Sequence, residues 1–185
     1  MTPFAHVTAG YLVTQAVDLI NPSLGFNSPE IIIAGIFGAN IIDFDVFLVK
    51  KPIEHRNTIF HTLIFWIGIF IFLFIIANFL NNQFITKLFL SFSLGIISHL
   101  FLDWYAARGK GVGGIRLLYP YSKKHFGLFP LKKVDLSNVK SMISKEFYKF
   151  YSENKFLFAS EIAIIIFGLI TFLNRSFFLF LKIFR

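Results

Sequence analysis

The sequence predicts an all-α, polytopic integral membrane protein, a helical bundle of about five spans in one membrane-embedded domain, 1–185. Hydrophobic residues make up 56% of the chain and charged residues 15%, whereas soluble domains carry about 25% charge. There are 27 phenylalanines, which with leucine and isoleucine fill long runs. An interior of 185 residues is too small to bury them all, which disfavours a soluble fold.

The apolar runs give the expected spans. A helix needs about 20 apolar residues to cross a hydrocarbon core about 30 Å thick. Five segments approach this length, namely 5–20, 31–49, 62–80, 88–107 and 157–173. The first is the most polar of them, and the tail 176–185, too short to span, is expected to lie in the membrane interface.

One long polar segment, 108–155, separates the last two spans, and we expect it to be part loop and part amphipathic helix near 137–152.

Cysteine is absent, which excludes disulfides, thiolate nucleophiles and cysteine-type zinc sites. The chain starts without a basic n-region, so we expect no cleaved signal peptide.

The basic residues predict the orientation, because Lys and Arg near span ends favour the cytoplasmic side. Segment 50–57 holds three of them and 108–155 holds eleven, fourteen of the eighteen in the chain. Both segments lie on one side if the third and fourth spans form a hairpin, and that side is predicted to be cytoplasmic. Connection 21–30 has none and would lie outside. The basic residues near the C-terminus would then lie on the outer side, whereas their charge favours the cytoplasmic side.

Ionisable residues inside spans are costly, about 2.5 to 3.5 kcal/mol each at the centre, so they indicate function by default. The predicted topology brings eight such residues to the same membrane face: His6, Asp43, Asp45, His55, His61, His99, Asp103 and Glu161. We therefore expect one His/Asp site facing the cytoplasm at the inner membrane of a prokaryote.

The spacing of these residues suggests their roles. His99 and Asp103 are four apart, on one helix face, as when one helix supplies two metal ligands. A hydrogen bond that merely satisfies two buried polar groups explains them equally well. Asp43 and Asp45 point about 200° apart on a regular helix. Either the helix ends there, or one binds a metal and the other orients a ligand, and we favour Asp45 as the ligand.

The remaining candidates have different contexts. His61 opens the most apolar span, which favours a ligand, and His6 reaches the cluster through the topology. His55 lies in the entry loop beside Arg56, whose guanidinium matches phosphate geometry. Glu161 is explained as well by a paired carboxylate as by metal binding. The predicted metal ligands are therefore His6, Asp45, His61, His99 and Asp103, with Asp43, His55 and Glu161 as further candidates.

Nitrogen and oxygen ligands suit Zn²⁺ best, with Mn²⁺ or Fe as alternatives, and the cluster could hold one or two ions. Such an ion activates water and polarises a phosphoryl oxygen, which is hydrolase chemistry. We assign possible catalytic roles to Asp43 and Asp45 as proton acceptors and to Arg56 as the phosphate-binding group.

These motifs, in this order, resemble the YdjM-like family of membrane-bound metal-dependent hydrolases, described in bacteria as LexA-regulated inner-membrane proteins. The matching segments are 6–10, 38–45, 55–62, 99–103 and 119–122. Ile42 replaces the usual proline, Phe60 a threonine and Thr62 a serine, which changes the expected turn before Asp43 and the hydrogen bonding around His61. Every ligand position is kept.

More distantly, the order of these residues is similar to that of the all-helical zinc-dependent phospholipase C and single-strand nuclease superfamily, whose zinc cluster hydrolyses phosphodiesters. That resemblance implies metal binding by His6, Asp45, His61, His99 and Asp103, with Asp103 bridging two ions. The later ligand histidines of that superfamily have no clear counterpart in this chain.

The expected function is a metal-dependent hydrolase that cleaves a phosphoester of a lipid or a small phosphorylated substrate. The main alternative is an ion- or proton-coupled transporter that uses the His/Asp cluster as a relay, although the chain shows no paired repeats. A third possibility is a non-catalytic organiser that binds anionic lipid through 108–155. Nucleic acid is disfavoured as a partner because no reader motif is present.

Overall fold

The protein folds as an all-α helical membrane bundle. The computed structural model describes residues 2–49, 57–106, 114–116, 118–122, 124, 126–128 and 145–183. Within these residues the α-helices are α1 (Pro3–Ile20), α2 (Pro29–Ile41), α3 (Leu63–Leu80), α4 (Gln83–Tyr105), α5 (Lys145–Glu153) and α6 (Lys155–Ile183). The described part of the chain contains no strand, and its β-type pairing is an isolated antiparallel bridge between Ile115 and Phe126.

Four helical stretches are long and apolar enough to cross a membrane: Pro29–Leu48, Leu63–Leu80, Gln83–Tyr105 and Lys155–Ser176. They correspond to four of the five predicted spans. The remaining predicted span forms α1, a helix of 18 residues. Three polar side chains lower its hydropathy below that of the other four, namely His6, Gln15 and Asp18. α1 nevertheless packs within the bundle, against α2, α4 and α6.

The helices begin where the sequence supplies caps. The side chain of Thr2 accepts a hydrogen bond from the Ala5 amide at the start of α1, and Ser28 does the same for the Ile31 amide of α2. A proline follows each cap at the first helical position, where its missing N–H leaves no hydrogen bond unmade. α3 ends at Asn81, whose φ of 45° turns the chain into α4.

α1, α2 and α4 form the centre of the bundle and approach closely through glycines. A Cβ at Gly95 of α4 would overlap the backbone of α2 at Gly35, and one at Gly38 would overlap the Phe92 carbonyl of α4. A Cβ at Gly10 of α1 would come within 2.7 Å of the Gly35 carbonyl. Small residues at helix contacts are a common route to close packing in membranes, where lipid gives no hydrophobic drive for association.

Buried hydroxyls connect the same three helices. The Thr14 hydroxyl donates to the Gly10 carbonyl within α1 at 2.9 Å and lies 3.1 Å from the Ser91 hydroxyl of α4. Ser91 in turn donates to the Ile31 carbonyl of α2 at 2.6 Å. Both hydroxyls are fully buried, so these contacts satisfy groups that lipid could not.

The structure refines two of the expectations at element ends. α6 continues through Ile183, so residues 176–183 extend a helix instead of forming a separate interfacial segment. Its 29 residues span about 44 Å, longer than the hydrocarbon core. α5 lies at the end of the predicted amphipathic helix 137–152, whose first part, 137–144, is outside the described residues.

Candidate metal centre

Four separate elements bring histidines and aspartates together at one end of the bundle. His6 is the fourth residue of α1, and His99 and Asp103 lie in the last turns of α4. Asp43 and Asp45 lie in a 3₁₀ segment, Ile42–Leu48, that continues from α2. His61 ends a 3₁₀ turn, Ile59–His61, just before α3. The side chains of this cluster are fully buried except that of Asp43, which is 25% exposed.

Two histidines and two aspartates form the centre of the cluster. Nε2 of His61 lies 3.6 Å from Oδ1 of Asp43 and 3.5 Å from Oδ2 of Asp103. Nε2 of His99 lies 3.6 Å from each of the same two oxygens. Ligands about 2.0 to 2.2 Å from a tetrahedral ion are separated by about 3.3 to 3.6 Å. The four nitrogen-to-oxygen distances therefore match the separation expected between two ligands of one metal ion.

His6 adds a fifth potential ligand beside this group. Its ring stacks on His99 with centroids 3.9 Å apart, and its Nε2 lies 3.6 Å from Oδ1 of Asp103. Asp103 thus presents one oxygen to His6 and the other to His61 and His99. Two sets of three residues each place one ligand atom per residue within 4.8 Å of the others. The sets are His6, Asp43 and His99, and His61, His99 and Asp103. This arrangement could hold one ion or two.

Three ring nitrogens from two histidines have no hydrogen bond within the described residues that would account for their burial. Both ring nitrogens of His6 and Nε2 of His99 are buried and have no hydrogen-bond partner within the described residues. Burying a polar atom without a partner costs on the order of 1 to 3 kcal/mol. A bound metal ion would give a partner to Nε2 of His99 and to one ring nitrogen of His6, so the residues present fit a metal.

Contacts behind the histidines fix which nitrogen faces the centre. Nδ1 of His99 lies 2.7 Å from the Ala39 carbonyl, which can only accept, so Nδ1 carries the proton and Nε2 is left with its lone pair. Nδ1 of His61 lies 3.0 Å from Oδ2 of Asp45, which also accepts from the Thr58 hydroxyl. A carboxylate behind a histidine is a common arrangement at metal sites.

The carboxylates also affect the protonation of His61. Burial disfavours its imidazolium form, but Asp43 and Asp45 more than offset this and raise the pKa of His61 above its ordinary value. A proton held on His61 competes with a metal ion for the ring. Metal affinity at this centre should therefore fall as the pH is lowered.

A comparison with known protein families agrees with this picture of a membrane protein. The model of the YdjM inner membrane protein family matches residues 1–178. The chain belongs to this family. None of the curated proteins and none of the solved structures is significantly similar to it. The resemblance to the zinc-dependent phospholipase C and nuclease superfamily therefore stays a prediction.

The structure of this YdjM family member brings together most of the residues that the sequence analysis selected. His6, Asp43, His61, His99 and Asp103 point to a common centre. The two neighbouring aspartates take different positions: Asp43 faces Nε2 of both His61 and His99, whereas Asp45, which we favoured as the ligand, lies at Nδ1 of His61. The 3₁₀ geometry explains this, because residues two apart point in different directions.

Glu161 has a different setting. Its carboxylate accepts hydrogen bonds from the Thr2 amide at 3.1 Å and from the Tyr151 hydroxyl at 2.8 Å. These contacts join α6 to the start of α1 and to α5, which is the paired carboxylate that the sequence analysis gave as the alternative. His55 and Arg56 lie outside the described residues.

Three groups around the centre were given no role by the sequence analysis. Thr58 bonds Asp45, and the Ala39 carbonyl orients His99. Arg116 donates to the Asn57 carbonyl at 3.1 Å and so fixes the segment that leads to His61. A backbone carbonyl has no sequence signal, but a hydroxyl three residues before the candidate ligand His61 could have suggested Thr58.

Proposed function

We propose that this protein is a metal-dependent hydrolase of the inner membrane that cleaves a phosphoester in a lipid or a small phosphorylated molecule. The observation that carries the proposal is the spacing of 3.5 to 3.6 Å between two imidazole nitrogens and two carboxylate oxygens in a buried cluster. A cluster that served only as hydrogen-bonded packing would give its imidazole nitrogens partners, whereas within the described residues His6 has none for either ring nitrogen.

The proposed ligands of one ion are drawn from His61, His99, Asp43 and Asp103, and a catalytic ion would also need one position open to water. His6, with the second oxygen of Asp103, either completes this site or begins a second one. Imidazole and carboxylate together suit Zn²⁺, with Mn²⁺ or Fe as alternatives. When bound, such an ion lowers the pKa of water towards about 7 and polarises a phosphoryl oxygen.

The protein's own groups would divide the remaining tasks. Asp43 is the part of the cluster that solvent reaches, so a substrate would approach past its carboxylate, and Asp43 is the group best placed to accept a proton from water. Asp45 would hold His61 in one tautomer and orientation. We keep Arg56 as the proposed phosphate-binding group because its guanidinium can bind two phosphate oxygens at once.

We further propose that the centre faces the cytoplasm. The cluster lies at the ends of α2 and α4 and the beginnings of α1 and α3, the side to which the basic segments 50–57 and 108–155 attach. Positive charge next to spans favours the cytoplasmic side. The substrate would then come from the inner leaflet or from the cytoplasm.

The test is hydrolysis by the purified protein reconstituted in liposomes and loaded with Zn²⁺ or Mn²⁺. Release of phosphate or headgroup is measured for phospholipids, lipid phosphates and p-nitrophenyl phosphoesters. We expect turnover that Asp43→Asn and the His99→Ala/Asp103→Ala double variant abolish. Glu30→Gln, an exposed carboxylate at the other end of α2, is the control and should retain activity.

The transporter alternative gives the opposite result. If the loaded protein hydrolyses none of these substrates but moves Zn²⁺ or protons across the vesicle membrane, and the same variants stop that flux, the hydrolase proposal is wrong.

A further inference from the structure

A groove between α1, α2 and α6 is lined by none of the residues proposed to bind metal. It has a volume of about 540 Å³, within the range of small-molecule sites. Most of its wall is aliphatic or aromatic and includes Val7, Ile32, Ile33, Ile36, Leu169 and Phe172. We call it the α1–α6 groove.

The α1–α6 groove opens towards lipid. Two of its walls come from the membrane-crossing stretches Pro29–Leu48 and Lys155–Ser176. Ile33 is 62% exposed and Leu169 is 55% exposed on the bundle surface. At this depth the surrounding solvent is hydrocarbon, so an acyl chain is the molecule that meets the groove and matches its wall.

One end of the groove is polar. Asn27, Arg175 and Ser176 line it where the membrane-crossing stretch of α6 finishes. The Arg175 guanidinium donates to the Asn27 carbonyl at 3.2 Å and lies 3.9 Å from the Asp18 carboxylate. These contacts hold the guanidinium in place, while 24% of its side chain stays exposed. A cation fixed at the membrane boundary beside an apolar groove complements a phosphate attached to an acyl chain.

The groove also contains a buried hydroxyl. Tyr11 lines its wall and is 8% exposed, and its hydroxyl has no hydrogen-bond partner within the described residues. The ester oxygens of a phospholipid lie between its phosphate and its chains, and they accept hydrogen bonds. Tyr11 is therefore a second group in the groove that a phospholipid could satisfy and a plain hydrocarbon could not.

We propose that the α1–α6 groove binds one membrane phospholipid, with an acyl chain along the aliphatic wall and the phosphate at Arg175. The lipid belongs to the leaflet opposite the metal centre. Asp18, beside Arg175, is twelve residues after His6 on α1, or about 18 Å along the helix.

The test is native mass spectrometry of the purified full chain in detergent, titrated with dioleoyl phosphatidylglycerol or with dioleoylglycerol, which lacks the phosphate. We expect one phosphatidylglycerol per protein, bound about tenfold more tightly than dioleoylglycerol. Arg175→Gln should remove this preference. Ile33→Trp, which fills the groove, should weaken binding of both lipids.

Matched controls separate this site from general lipid adhesion. Lys87→Gln removes a cation near the loop after α1, close to Gly25, and Ile71→Trp enlarges an exposed side chain on α3. Both should bind as the unchanged protein does. Equal binding of the two lipids, equal loss in Lys87→Gln and Arg175→Gln, or a protein dimer in place of bound lipid would overturn the proposal. None of these outcomes bears on hydrolysis at the metal centre.

Discussion

The imidazole of His99 donates its Nδ1–H to the backbone carbonyl of Ala39 across the α4–α2 contact, with the two atoms 2.7 Å apart. This contact depends on the glycines that let α2 and α4 approach, because Gly95 lies one helical turn before His99 and meets α2 next to Ala39. The close packing of the bundle and the orientation of a proposed ligand are therefore linked.

That link predicts the effect of adding one methyl group. In Gly95→Ala, the new Cβ would overlap the backbone of α2 at Gly35, so the helices must separate. We expect a loss of stability of about 1 to 3 kcal/mol, seen as a lower thermal midpoint in detergent, together with weaker metal binding. Gly68→Ala on α3 is the control, since among the described residues no atom from another helix lies within 4 Å of its new Cβ. Equal midpoints for the two variants would contradict the packing argument.

Asp45 is predicted to act through His61. Asp45→Asn keeps the shape of the side chain but removes the charge that faces Nδ1 of His61. We expect metal affinity to fall about 10- to 100-fold, with little change in the helical circular dichroism. Isothermal titration with Zn²⁺ measures this, with Glu30→Gln as the control. An affinity unchanged in Asp45→Asn would show that Asp45 does not support the ligand.

Thr58 should have a smaller effect through the same chain of contacts. Its hydroxyl donates to Asp45, so Thr58→Val removes one hydrogen bond worth about 1 kcal/mol. We expect metal binding to weaken several-fold in Thr58→Val and to recover in Thr58→Ser, which restores the hydroxyl. Metal binding by Thr58→Val as tight as that of the unchanged protein, or no recovery in Thr58→Ser, would contradict a role for the Thr58 hydroxyl.

Glu161 is predicted to stabilise the fold without binding metal. Tyr151→Phe removes the hydroxyl that donates to its carboxylate at 2.8 Å and should cost about 1 to 3 kcal/mol of stability. Metal content, measured by elemental analysis, should stay the same in Tyr151→Phe and in Glu161→Gln. Tyr148→Phe, at a side chain that is 66% exposed, should change neither property. Loss of metal from Glu161→Gln would make Glu161 a ligand.

The sequence predicted the helices well because hydrophobic length and charge decide them. The runs 62–80 and 31–49 appear as Leu63–Leu80 and Pro29–Leu48. The clustering of His6, His61, His99 and Asp103 could also be predicted, since each lies near a span end and the topology alternates. The order and direction of the spans are enough to bring these residues to one membrane face, so their clustering could be predicted without side-chain geometry.

The different positions of Asp43 and Asp45 relative to His61 could not be predicted from sequence. They depend on how α2 changes into the 3₁₀ segment Ile42–Leu48, where the turn per residue is about 120° instead of 100°. The orientation of His99 depends on a backbone carbonyl, which every residue possesses. The α1–α6 groove likewise arises from the way three helices pack and not from a local pattern.

The most direct test of the metal centre is elemental analysis combined with zinc K-edge X-ray absorption on the purified, zinc-loaded protein. We predict bound zinc with nitrogen and oxygen neighbours at about 2.0 to 2.2 Å, including imidazole, and loss of this zinc in the His99→Ala/Asp103→Ala double variant. Wild-type protein that holds no zinc, manganese or iron after loading, or zinc retained equally by the double variant, would contradict the account.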